Sequence, residues 1–161
     1  MTVTSVHRPQ AVLALVVLEV FFGVMGIISG LLLMADPSGS LIGFPSSVVE
    51  KIPFQNFFLV GLFLFVIFGL YPLLLAHGAW GKEELFFKEI SRAGGIHWSW
   101  QGGMALIAIL VGWLFVENLL IGLDYPATYM TIALGLAIFI ALIMPSTRRY
   151  FAEGYAGKGN S

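Results

Sequence analysis

The sequence predicts an all-α polytopic membrane protein, a four-transmembrane-helix bundle with short amphipathic interfacial segments. Three observations predict it. Of 161 residues, 58% are hydrophobic and only 11% are charged, against about 25% charged in an ordinary soluble domain. Four apolar stretches, residues 11–34, 54–77, 99–123 and 126–145, each reach the ~20 residues a helix needs to cross a ~30 Å hydrocarbon core. The stretches are apolar throughout rather than alternating. Backbone groups in lipid must be bonded within their own segment, so each is read as a helix and not as a barrel strand. At this length residues 1–161 read as one domain.

The first stretch contains Glu19, and no small-x-small cleavage pattern follows Leu33-Met34-Ala35-Asp36-Pro37, so it is read as a retained span rather than a signal peptide. In the loop after it, Asp36-Pro37-Ser38-Gly39 is a turn signal. Pro45-Ser46-Ser47 can open a helical turn that Pro53 stops. Phe44, Val48 and Ile52 recur at helical spacing, which predicts a segment lying on the outer membrane surface. The second stretch carries Tyr71-Pro72, a kink signal, and ends at His77. Between the second and third stretches, Lys82–Arg92 sets Leu85, Phe86 and Ile90 in one stripe among charges, and Gly94-Gly95 ends it. Trp80, Trp98 and Trp100 mark one interface, Tyr125 and Tyr129 the other.

Basic residues orient the chain. Arg8, Lys82, Lys88, Arg92, Arg148, Arg149 and Lys158 fall on one side of a four-span layout and Lys51 alone on the other. The positive-inside rule then predicts a multi-pass protein of the cell membrane with cytoplasmic N- and C-termini. Arg148-Arg149-Tyr150 reads as a cluster resting on anionic lipid. The chain has no cysteine and a net charge of −1. Thiolate chemistry is excluded, and no basic excess points to nucleic acid. His7, His77 and His97 are far apart, and no ligand spacing for a metal or motif for a cofactor is present, so none is expected.

Glu19 is the most informative residue. It lies ~12 Å along the first helix and shares one face with Gly23, Gly26 and Gly30. Glycines let a neighbouring backbone come close, so Glu19 is expected to face protein, as a hydrogen-bonding tie between helices or as a group that handles protons or holds a cationic or hydroxylated ligand. Glu117 lies near the far end of the third helix with Asn118 beside it. Trp113, four residues earlier, is on the same face and its indole N–H is a candidate donor to the carboxylate. With Asn56 and Asp36 nearby, these residues outline a polar pocket under the outer loop; the plain alternative is an interfacial acid facing water or Lys51. Glu19 and Glu117 differ in depth by ~15 Å, too far apart to form one acid–base pair. His97, Trp98 and Trp100, at the inner mouth of the third helix, read as a polar–aromatic interface anchor.

Asp36-Pro37-Ser38-Gly39, Gly94-Gly95-Ile96-His97-Trp98-Ser99-Trp100, Trp113-Leu114-Phe115-Val116-Glu117 and Pro145-Ser146-Thr147-Arg148-Arg149-Tyr150 together resemble a set of small, uncharacterised prokaryotic four-span membrane proteins. The resemblance implies a four-span fold in a prokaryotic inner membrane and carries over no catalytic residue. A looser likeness to DoxX-like and sterol-isomerase-like four-helix membrane modules is architectural only.

Three functional expectations follow, in order of weight. The first is a non-enzymatic accessory or binding module for lipid or small apolar ligands, with a protein partner or a second copy of the chain as candidate company. The second is a small proton-coupled transporter using Glu19. The third is an intramembrane enzyme acting on lipid, which needs a second polar group within ~3 Å of the acid.

Overall fold

Four helices long and apolar enough to cross a membrane run Gln10–Ala35 (α1), Phe58–Gly81 (α3), Trp98–Leu120 (α5) and Pro126–Ile143 (α6). Three shorter helices join them: Ser46–Val49 (α2), Lys88–Gly94 (α4) and Pro145–Ala152 (α7). The structure is a computed structural model that describes residues 8–44, 46–52, 55–82 and 87–153. The protein is a helical membrane protein built as a four-helix bundle. Each spanning helix packs against its two neighbours in a ring, α1 on α3, α3 on α5, α5 on α6 and α6 on α1. The outer faces are hydrocarbon, as Val17, Val111, Phe115 and Leu119 show, each about half exposed or more. Polar groups such as Glu19, Ser99 and Thr128 are buried. That inversion is what lipid as solvent selects.

Helix limits follow local chemistry. α1 stops where Asp36 leaves the helical region, and the predicted turn forms with Gly39 at φ 74°. The Asp36 carboxylate accepts from the hydroxyls of Ser38 and Ser40 at 2.6 Å and from the Leu41 amide at 2.9 Å. These bonds hold it well below the usual carboxylate range. The second span is displaced from the predicted 54–77. It starts at Phe58, whose amide is capped by Asn56 Oδ1 at 3.1 Å, and continues past His77 to Gly81. α5 ends on the Glu117 carbonyl, which accepts from Ile121 and from Gly122, itself at φ 84°. Pro126 occupies the first turn of α6.

Glycines set the closest contact. A Cβ on Gly30 would lie 2.7 Å from the Gly61 carbonyl oxygen, and one on Gly61 would lie 2.8 Å from the Gly30 oxygen. One on Gly26 would overlap the Phe68 carbonyl. The predicted face of Glu19, Gly23, Gly26 and Gly30 is thus buried, with its glycines against α3. Pro72 has no N–H to bond the Phe68 carbonyl in the α pattern. Just before the expected kink at Tyr71-Pro72, α3 widens into a π segment at Leu64–Leu70, with the Tyr71 amide bonded to the Val66 carbonyl.

The basic end is closed. Pro145 holds Met144 extended (ψ 134°) and opens α7 in its own first turn. Thr147, Tyr150 and Phe151 face the bundle while Arg148 and Arg149 are exposed. The predicted cluster at 148–150 is therefore part of an amphipathic helix that plugs the bundle. Arg8 stacks on Trp80 at 4.2 Å, Lys82 lies 3.7 Å from Glu153, and Arg148 stands over Trp100 at 5.9 Å. These contacts gather the N-terminal, middle and C-terminal basic residues at one end. Of the predicted 82–92 stripe, Leu85 and Phe86 lie outside the described residues, as do Pro45, Pro53 and Lys158. Ile90 is exposed, and the helix actually runs Lys88–Gly94 before Gly95 breaks it at φ 63°.

Candidate functional site

At the end away from the basic residues, the bundle opens into a cavity of about 640 Å³. Its walls come from all four spans, including Leu33 of α1, Leu64 of α3, Val116 of α5 and Leu134 of α6. The cause is the path of α3: it packs on α1 along its length, but its main packing on α5 is confined to the half nearer the basic end, Tyr71–Gly81. Toward the other end, Leu59 of α3 and Val116 of α5 both line the cavity and are about half exposed on the lipid-facing surface. The cavity is thus bordered on that side by side chains that also face the hydrocarbon region.

The roof is the loop after α1. Phe44 stacks on Phe57 at 5.0 Å and meets Tyr125 edge-on at 5.1 Å. The Phe57 amide donates to the Pro37 carbonyl at 2.8 Å. The Phe44/Val48/Ile52 stripe, expected to lie on the membrane surface, instead turns inward: Val48 and Ile52 are buried against Leu33 and Phe57. A four-residue helix cannot be a stable surface helix by itself, and the stripe finds apolar partners below it. The floor is an aromatic layer. Trp113 stacks on Phe63 at 5.0 Å, and Phe68 meets Phe63 and Phe22 edge-on at 5.4 and 5.6 Å.

Polar groups in this cavity are few. Among the described residues Glu117 is its only acidic lining residue, and no Lys, Arg or His lines it. The Thr128 hydroxyl, on the first turn of α6, donates to Glu117 Oε1. Among the described residues nothing bonds the second carboxyl oxygen, and no cation pairs with Glu117. Trp113 shares the cavity face with Glu117, as the spacing predicts, but it stacks on Phe63 rather than donating to the carboxyl. Asn118 is exposed and does not line the cavity; one step round the helix from Glu117 turns it outward. Asn56 does line it, whereas Asp36 stays in its own turn. The expected polar pocket is thus an apolar chamber with one acidic corner. Sequence reading missed Thr128. Its signal was depth: Thr128 opens α6 about as far from the membrane end as Glu117 lies before the end of α5.

Glu19 is elsewhere. It is 1% exposed and lies one turn below Phe22, on the far side of the aromatic floor. Among the described residues its Oε2 has no hydrogen-bond partner. Near it on α3, the Tyr71 hydroxyl donates to the Gly102 carbonyl at 3.0 Å. The structure brings Glu19 and Glu117 together with no second acid.

His97, Trp98 and Trp100 hold the basic end together and are not an open mouth. His97 is 1% exposed; its Nδ1 accepts from the Ser99 amide and lies 2.7 Å from the Ser99 hydroxyl, capping α5. Its own amide donates to the Phe151 carbonyl at 3.0 Å. The Trp98 amide donates to Ser91 Oγ, and the Trp100 indole donates to the Leu142 carbonyl, both at 2.9 Å. Among the described residues no group of three metal-ligating side chains is present. No family model, curated protein or solved structure matches the chain.

Proposed function

We propose that this protein is a non-enzymatic binding module of a prokaryotic inner membrane, taking a lipid or similarly apolar molecule from the bilayer. The observation that carries the reading is the roofed apolar cavity, bordered between α3 and α5 by the half-exposed Leu59 and Val116. Its volume falls within the ~300–1,000 Å³ of small-molecule sites, and its lining is mostly hydrocarbon. Acid–base chemistry on a lipid needs a second titratable group beside the reacting atom, and among the described residues Glu117 is the only charged side chain that lines the cavity, its hydrogen bond coming from the Thr128 hydroxyl. The basic end faces the cytoplasm by the positive-inside rule, which puts both termini inside and the cavity in the outer leaflet. A second reading, a proton-coupled carrier, draws on the buried Glu19 Oε2 alone.

The test is native purification in mild detergent followed by mass spectrometry of the intact protein. The wild type is expected to retain a lipid-sized adduct. Thr131→Phe, which fills the cavity from α6, is expected to fold and lose it. A wild type that carries nothing, in detergent or in its native lipid, rejects the reading.

A further inference from the structure

The lining of the cavity has a sign. Its walls are mostly hydrocarbon and aromatic, with Ser29, Asn56, Thr128 and Thr131 among them; among the described residues Glu117 is the only acidic side chain that lines it and no basic side chain does. One Glu117 oxygen is taken by Thr128, and the other is left without a protein partner among the described residues. The other charged residues of the neighbouring loops, Asp36, Glu50, Lys51 and Asp124, do not line the cavity, and Asp36 is satisfied by Ser38, Ser40 and the Leu41 amide. An anion would meet a carboxyl and no counter-charge here. A neutral hydrocarbon would leave that carboxyl oxygen facing apolar surface, which is costly. An organic cation would satisfy it, in a cavity that Trp113, Phe57 and Tyr125 line with aromatic surface.

We infer that the occupant is an amphipathic organic cation, an ammonium or onium centre on an apolar body, with its charge at Glu117 and its body over Trp113. The inference rests on the proposed binding role and names the ligand class for that cavity. The cation enters from the bilayer beside Leu59 and Val116, the half-exposed lining residues of α3 and α5, with its apolar body against the floor. Thr128 is a positioning residue: its hydroxyl fixes one carboxyl oxygen so that the other points into the chamber.

The experiment measures equilibrium binding to protein in a neutral maltoside detergent, with protein-free micelles subtracted. The probes are tetraphenylphosphonium, its size-matched anion tetraphenylborate, and neutral pyrene. The wild type is expected to bind tetraphenylphosphonium saturably and tetraphenylborate not at all. Glu117→Gln should weaken the cation by about tenfold or more, the scale of one lost charged contact, and leave pyrene binding unchanged. Should Glu117→Gln not fold, Leu120→Lys places a competing ammonium one turn along the same cavity wall and should exclude the cation but not pyrene. Competition by phosphatidylethanolamine but not phosphatidylglycerol would assign a lipid amine headgroup as the natural source; no competition would assign a free amphipathic cation. Pyrene binding with no preference for tetraphenylphosphonium, or cation binding unaffected by Glu117→Gln, overturns the inference and leaves the binding module standing. Binding of neither probe overturns both.

Discussion

The carbonyl of Phe68 lies against Gly26, so close that a Cβ on the glycine would overlap it. The contact joins two departures from ordinary helix chemistry. Pro72 has no amide for the Phe68 carbonyl, and Gly26 has no side chain to keep that carbonyl away. Gly26→Ala is expected to force α1 and α3 apart and cost about 2–3 kcal/mol or more, the scale of overpacking against backbone. Ile28→Ala, on the exposed face of the same helix, should cost far less. Thermal melts in detergent compare them, and equal losses for both would remove the case for close packing at this point.

Topology has its own test. Leu41 is exposed in the roof loop and Ala93 is exposed in α4 at the basic end. Leu41→Cys and Ala93→Cys should react with a membrane-impermeant maleimide from opposite sides, Leu41→Cys from outside intact cells. Labelling of both from one side would refute the four-span orientation.

The Asp36 turn anchors the roof and predicts a pH dependence. The carboxyl is held below its ordinary range by hydrogen bonds from the Ser38 and Ser40 hydroxyls and the Leu41 amide. A depressed folded-state value means stabilisation that is present above the unfolded value of about 3.9 and lost as pH falls toward the lower folded one. Asp36→Asn should therefore loosen the roof at neutral pH, and its deficit against the wild type should shrink progressively below about pH 4. Melting temperatures of both proteins from pH 7 down to pH 3 measure this. A deficit constant over that range would show that the ionised carboxyl is not what holds the turn.

Much of this architecture is legible in the residues. The four spans need only length and hydrophobicity, and the burial of Glu19 follows from Gly23, Gly26 and Gly30 sharing its face. What eluded the sequence depends on partners distant along the chain. Phe44, Val48 and Ile52 form the stripe of either a surface helix or a roof, and only the cavity beneath decides. Arg148-Arg149 hides the inward Thr147, Tyr150 and Phe151, because two charges dominate a short segment. Glu117 and Trp113 are rightly placed on one face, yet Phe63 and Thr128 claim them separately. No local rule announces that the main packing of α3 on α5 would be confined to the half nearer the basic end, and that restriction makes the cavity.

Glu19 offers the sharpest separation of structure from function. Its carboxyl is buried on the packed face, and its Oε2 has no hydrogen-bond partner among the described residues. A buried polar atom left unsatisfied costs about 1–3 kcal/mol, and an apolar replacement of the same shape removes that cost. Methionine is unbranched and close in length, so it avoids the crowding near Gly23 that leucine would bring. Glu19→Met is expected to raise the melting temperature, Glu19→Leu to gain less or lose, and Glu19→Gln to stay near the wild type. Because the Phe22–Phe68–Trp113 layer separates Glu19 from the cavity, all three variants should keep the bound adduct in native mass spectrometry. A stabilised Glu19→Met protein would mean that the acid is kept for something other than holding the bundle together. The carrier reading then predicts that pH-dependent uptake into proteoliposomes is lost in Glu19→Gln as well, since an amide cannot exchange the proton. If Glu19→Met instead melts several degrees lower, the carboxyl has a partner that it ties to α1, and Glu19 is a structural group with no part in transport.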